Sequence, residues 1–189
     1  MQATRTLRGR RVFLRPLRLE DAGVETRWNA DPEVVHWLHR SEDGPENRSR
    51  GAVEQKIRSV LADPTEVGFI IETDEGVPIG DIGLLGIHPH GRAELSIKLG
   101  EKAYWARGYG TDAIRTLLGL AFGELALRRV TLIADADNTR GIRCYEKCGF
   151  RHEGVLREHR LRYGKPLDMV AMAVSREEFE SHPGDAGSD

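Results

Sequence analysis

Ile114, Leu117, Leu118, Ala121, Phe122 and Leu125 recur at steps of three and four residues. That spacing draws one apolar stripe along a long helix, and such a stripe must be buried against another element. The segments around it alternate instead. "EVGFIIET", "PIGDIGLLGI" and "AELSIKLG" precede it as strands, separated by turns at Asp74-Glu75-Gly76 and "HPHGR". "RRVTLIAD" follows as another strand. Near the start, Arg10 to Arg18 reads as a strand ending at Pro16. The next apolar spacing is helical and is broken in two at Asp31-Pro32. "RSRGAVEQKIRSVLAD" is amphipathic, with Val53, Ile57, Val60 and Leu61 on one side. "NTRGIRCYEKCGF" is a helix opened at Asn138 and stopped at Gly149, and two strands flank "YGKP". This order predicts an α/β chain, a mixed sheet with helices on both faces. One domain is expected over residues 1–180, with the small polar segment 181–189 as a disordered tail.

Composition excludes several classes. With 31% charged and 39% hydrophobic residues, 189 residues suffice for a buried core. A net charge of -2 argues against general nucleic-acid binding. No apolar run approaches a membrane span, and no signal core follows the basic start, so a cytoplasmic protein is expected. Cys144 and Cys148 are four residues apart and share one helix face, where they are expected to pack as small apolar residues. No spacing of His and Cys suggests a metal site, and none is expected.

The apolar helix opens on "ARGYGT", with Gly108 and Gly110 ahead of Asp112. A helix N-terminus presents unpaired N–H groups and the positive end of its dipole. Bare glycine backbone there lets phosphate oxygens approach closely. The same glycines also serve a tight strand-to-helix turn, and this stretch alone leaves both readings open. It matches neither the dinucleotide nor the triphosphate loop pattern.

"ARGYGT" together with "NTRGIRCYEKCGF" one strand downstream resembles the GNAT superfamily of N-acetyltransferases. The family pattern, Arg/Gln-x-x-Gly-x-Gly/Ala, then Asn, Tyr seven residues on, and Gly-Phe, is met by Gly108, Gly110, Asn138, Tyr145, Gly149 and Phe150. Its first place falls on Trp105, where the family often has Arg or Gln. "FLRPLRLEDA", "WNADPEVVHWL" and "GFRHEGVLREHRLRYGKPLDMVAMAV" are similar to the ribosomal-protein and spermidine N-acetyltransferase branch. The resemblance implies a mostly antiparallel sheet of about seven strands and acetyl-CoA as co-substrate. It implies a pyrophosphate on the amides of Arg107, Gly108, Tyr109, Gly110 and Thr111. It also implies a pantetheine arm along Ile97, Lys98 and Leu99, reached by the Asn138 side chain. Arg107, Arg143 and Lys147 are then candidates for the phosphates.

The implied chemistry is attack of an amine on a thioester. A primary amine is mostly protonated at neutral pH, so a proton acceptor is needed. Glu94, working through water, is the candidate, with Ser96 assisting either proton path. Tyr145 matches the family's general acid for the leaving thiolate. An N–H of "LSIKL" would support the oxyanion. Between Leu19 and Asn47 eight acids face two bases, which favours a cationic amine. Trp28, His36, Glu42 and Asp43 are candidate pocket residues; Trp37 is expected in the core. The "YGKP" hairpin is expected to contribute to recognition. A protein N-terminus or other peptide amine is the first acceptor expected, and a polyamine or aminoglycoside the second. A non-catalytic acyl-CoA sensor is the alternative of another class. The oligomeric state stays open, a homodimer being one option.

Overall fold

Eight strands form one sheet in this computed structural model, which describes residues 5–38, 49–162 and 164–181. They are β1 (Leu7–Arg8), β2 (Val12–Pro16), β3 (Val67–Thr73), β4 (Pro78–His88), β5 (Arg92–Leu99), β6 (Arg129–Asp135), β7 (Arg151–Arg162) and β8 (Lys165–Ser175). The helices are α1 (Ala22–Ala30), α2 (Pro32–Val35), α3 (Arg50–Ala62), α4 (Tyr109–Gly123), α5 (Thr139–Lys147) and α6 (Arg176–Ser181). The strands lie in the order β1-β2-β3-β4-β5-β6-β8-β7, antiparallel throughout except for β5–β6. The eighth strand is β1, whose two residues are too few for alternation to announce it. Ser181, read from sequence as tail, closes α6, whose Phe179 packs on Phe122; residues 182–189 lie outside those described.

Neighbouring residues of β3 belong to different cores. Phe69 and Ile71 pack with Ile114, Leu117 and Leu118 of α4, while Ile70 packs with Trp28 and Val34 of α1 and α2. Period-two alternation therefore places helices on both faces of the sheet. Ile114, Leu117, Leu118, Ala121 and Phe122 of α4 are buried as their spacing requires, each of the four larger side chains contributing about 1.5–3 kcal/mol, while Leu125 lies past the end of the helix and is half-buried. The start of α4 is tied to the start of β2. The Asp112 carboxylate accepts N–H bonds from Arg10 (3.1 Å), Arg11 (2.7 Å) and Val12 (3.1 Å).

One feature of the sheet positions the site. β5 and β6, joined across α4, pair over only three residues, Arg92–Glu94 against Arg129–Thr131. Beyond that point β5 stays with β4 as far as Leu99, and β6 stays with β8 as far as Asp135. The sheet is split between them.

Candidate active site

The split exposes one edge of β5. The Leu99 carbonyl points away from β4 and accepts the Trp105 indole N–H at 2.8 Å. Strand alternation gives the Ile97 peptide the same orientation, into the gap. Lys98, lying opposite Asp81, instead turns its peptide toward β4 and its side chain to the face covered by α1. Of the three β5 residues expected to meet a pantetheine arm through their backbone, Ile97 keeps an open peptide. Leu99 has its carbonyl taken, and Lys98 is turned away.

The mouth of the gap faces the start of α4. Gly108 is its N-cap, left-handed at φ 84°, and no side chain caps the helix. Ala106 is left-handed as well, at φ 59°. Left-handed residues of this kind turn backbone amides into a concave anion site, and for a residue with a Cβ the conformation carries strain. A cavity of about 400 Å³ lies here. Its lining includes Gly108, Gly110 and Thr111 of α4, and Arg140, Arg143 and Lys147 of α5. Arg140 was not singled out from the sequence. It sits 4.0 Å over the Trp105 ring, and its i, i+3, i+7 spacing with Arg143 and Lys147 is the signal that marks all three as one face. Arg107 and Tyr109 do not line this cavity; Arg107 is exposed and Tyr109 packs edge-on against Tyr104.

Asn138 caps α5. Its Oδ1 accepts the Gly141 N–H at 2.9 Å, which leaves the side-chain NH₂ as a donor. A Cβ on Gly141 would stand 2.6 Å from Asn138 Nδ2, so a side chain there would move the capping amide. One face of α5 docks on Thr111 of α4. Cys144 Sγ lies 3.3 Å from Thr111 Oγ1, and buried Cys148 reaches the Thr111 carbonyl. The hydrogen bond from Cys148 and that with Thr111 pull the Cys144 thiol down to about 7, while that same bond and burial push Cys148 up. Both cysteines pack with the main core, as expected.

A second cavity, of about 430 Å³, opens on the face covered by α1 and α3. Glu94 and Ser96 line it from β5, both exposed, and Glu25, Asp81 and Lys98 line it where they form a buried ion cluster. The two cavities share Trp37, Leu38, Ile97, Lys98, Asn138 and Tyr145. Tyr145 thus stands where they meet. Burial raises its pKa well above the usual tyrosine value, helped by the two cysteines, so the phenol keeps its proton at neutral pH.

Two expected pocket residues lie elsewhere. Trp28 is core at 1% exposure, its Nε1 donating to Glu101 at 2.8 Å and its ring against Gly100, where a Cβ would come within 2.1 Å. His36 caps α2 and packs edge-on against Trp37. Trp37, assigned to the core from sequence, is the one that lines both cavities. Trp28 lies on α1 and Trp37 in the turn after α2, and apolar spacing does not tell which of the two meets the cavities. Glu42, Asp43 and Tyr163 of "YGKP" lie outside the described residues. Of the described acids between Leu19 and Leu38, Asp21 pairs with Arg15, and Asp31 and Glu33 pair with Lys102. Glu25 faces the cavity.

A family model described as an acetyltransferase (GNAT) domain matches residues 11–151. Among curated proteins, p20 of Bacillus licheniformis, an uncharacterized N-acetyltransferase, is 29% identical over 178 residues, 92% of this chain and 98% of that one. Spermidine N(1)-acetyltransferase of Escherichia coli K12 is 30% identical over 120 residues, 63% of each chain. Among solved structures, spermidine N-acetyltransferase of Vibrio cholerae in complex with CoA and spermine superposes with a TM-score of 0.81. It covers 90% of this chain and 98% of that one at 23% identity, a likeness of fold.

Proposed function

The chain belongs to the GNAT acetyltransferase family and is an acetyl-CoA-dependent N-acetyltransferase, and we propose that it transfers the acetyl group directly to a cationic primary amine. The observation that carries the direct route is the meeting of the two cavities at Tyr145. The donor set of the first cavity fits acetyl-CoA. Uncapped amides of Gly108 to Thr111 and the side chains of Arg140, Arg143 and Lys147 suit its phosphates. The open Ile97 peptide and the Asn138 NH₂ suit the amides of its arm. When bound, acetyl-CoA supplies an acetyl thioester.

The chain's own residues then manage protons. The Tyr145 hydroxyl holds the one that a departing sulfur requires. Glu94 and Ser96, on the wall of the second cavity, take up and pass on the one that the amine must lose. Trp37 and Leu38 border both cavities and shield the junction from water. Cys144 lines only the first cavity, which favours direct attack over passage of the acetyl group through a thiol.

A protein N-terminus meets the description of a cationic primary amine, and so does spermidine, which names one of the relatives above. A thiol-release screen with spermidine, kanamycin and an unblocked tripeptide decides among them. Release above the hydrolysis background with at least one amine is expected. No release with any of them, while acetyl-CoA still binds, would turn the chain into an acyl-CoA-binding module.

A further inference from the structure

Glu25 stands in the middle of α1 at 7% exposure, where a carboxylate is costly. Its Oε2 pairs with the Lys98 ammonium. That ammonium also meets Asp81 Oδ2 at 3.0 Å and Asn29 Oδ1 at 3.3 Å, and it lies 5.5 Å from the Trp28 ring centre. Two carboxylates thus share one cation. An ion pair whose sole task was to tie α1 to the sheet would need one carboxylate and would satisfy both of its oxygens. Here the other oxygen, Glu25 Oε1, is buried and has no hydrogen-bond donor among the described residues. Glu25, Asp81 and Lys98 all line the 430 Å³ cavity, beside Glu94 and Ser96.

We infer that Glu25 Oε1 is the anchor for the acceptor's ammonium head, which supplies both the missing donor and the missing positive charge. This deepens the amine-acetyltransfer reading above and rests on it. Burial, then the Asp81 charge, push the Glu25 carboxyl up to about 7, with Lys98 opposing them. An arriving ammonium opposes that upward push and favours the carboxylate form of Glu25. The other charged groups on the cavity wall are Lys56 from α3, Glu94 from β5 and Arg160 from β7.

The test measures thiol release at saturating acetyl-CoA with the fastest amine of the screen. Glu25→Gln keeps the shape and removes the charge. It should raise KM for the amine about 10- to 100-fold, the loss of one charge-assisted hydrogen bond, with kcat and the acetyl-CoA Kd little changed. A second variant, Glu25→Gln with Lys98→Met, restores the net charge of the cluster without restoring the carboxylate at position 25, and its KM should stay raised. In the single variant Lys98 keeps Asp81 as its carboxylate partner, and in the double variant Asp81, 32% exposed at its side chain, is left to solvent; whichever of the two stays folded at the assay temperature carries the comparison. A single-variant KM within about threefold of wild type would overturn the anchor, and so would recovery of the wild-type KM in the double variant. If wild type releases no thiol with any amine, the acetyltransfer reading itself fails, and the subsite with it.

Discussion

At the scale of single residues, Tyr145 is where position and protonation agree. It lies seven residues after Asn138, the N-cap of α5, and the two side chains line both cavities. Its ring packs edge-on toward Phe150 at 6.1 Å between centres. Phenylalanine retains that ring and removes only the hydroxyl. If the hydroxyl donates a proton as the thiolate leaves, Tyr145→Phe should lower kcat by about 10²–10⁴. The acetyl-CoA Kd should hardly move, because the lost interaction matters only in the transition state. Steady-state kinetics paired with calorimetry checks both numbers, and a near-normal kcat would return Tyr145 to a packing role.

At the scale of elements, the start of α4 makes the sharpest prediction. A Cβ on Gly110 would meet Cys144 Sγ and Leu99 Cδ1 at 3.5 Å, an ordinary contact, so the backbone accepts a Cβ there, and Gly110→Ala serves as the packing control. Gly110→Asp should then keep its secondary structure and lose cofactor. A carboxylate among the amides proposed to hold the phosphates should weaken acetyl-CoA binding by at least about tenfold. Unchanged affinity, measured by calorimetry, would remove the helix terminus from the site. The elements themselves were legible in the sequence wherever a period was sustained. The α4 stripe, the alternation of β3 to β6, and the cap and stop of α5 at Asn138 and Gly149 are local patterns. What joins distant residues was not. Glu25 was one acid among eight in its segment, and Lys98 was one alternate residue of a strand. Only the packing of α1 on β5 turns them into a buried cluster, because ion pairs have no sequence period. The exchange of Trp28 and Trp37 has the same origin, since Trp37 follows the end of α2 in a turn whose placement is set by its neighbours. Arg140 did carry a signal, its spacing to Arg143 and Lys147, but an arginine on a polar face reads as a solvated charge until Trp105 is seen beneath it.

At the scale of the whole molecule, the split between β5 and β6 organises everything else. It frees one edge of a strand, sets the cap of α4 at one end, and lets cavities of about 400 and 430 Å³ meet at Tyr145. Direct transfer requires that one path run from the phosphate-binding amides through this junction to the ion cluster around Glu25. A single molecule spanning that path tests it: coenzyme A joined at its sulfur to spermidine through an acetyl bridge. Such a conjugate joins two binding events, and joined events gain about 10²–10⁴ in affinity when the sites are contiguous. Calorimetric titration should therefore give a conjugate Kd at least about a hundredfold below that of coenzyme A alone. A conjugate that binds no tighter than coenzyme A would show that the two cavities do not form one site, and would contradict direct transfer at Tyr145.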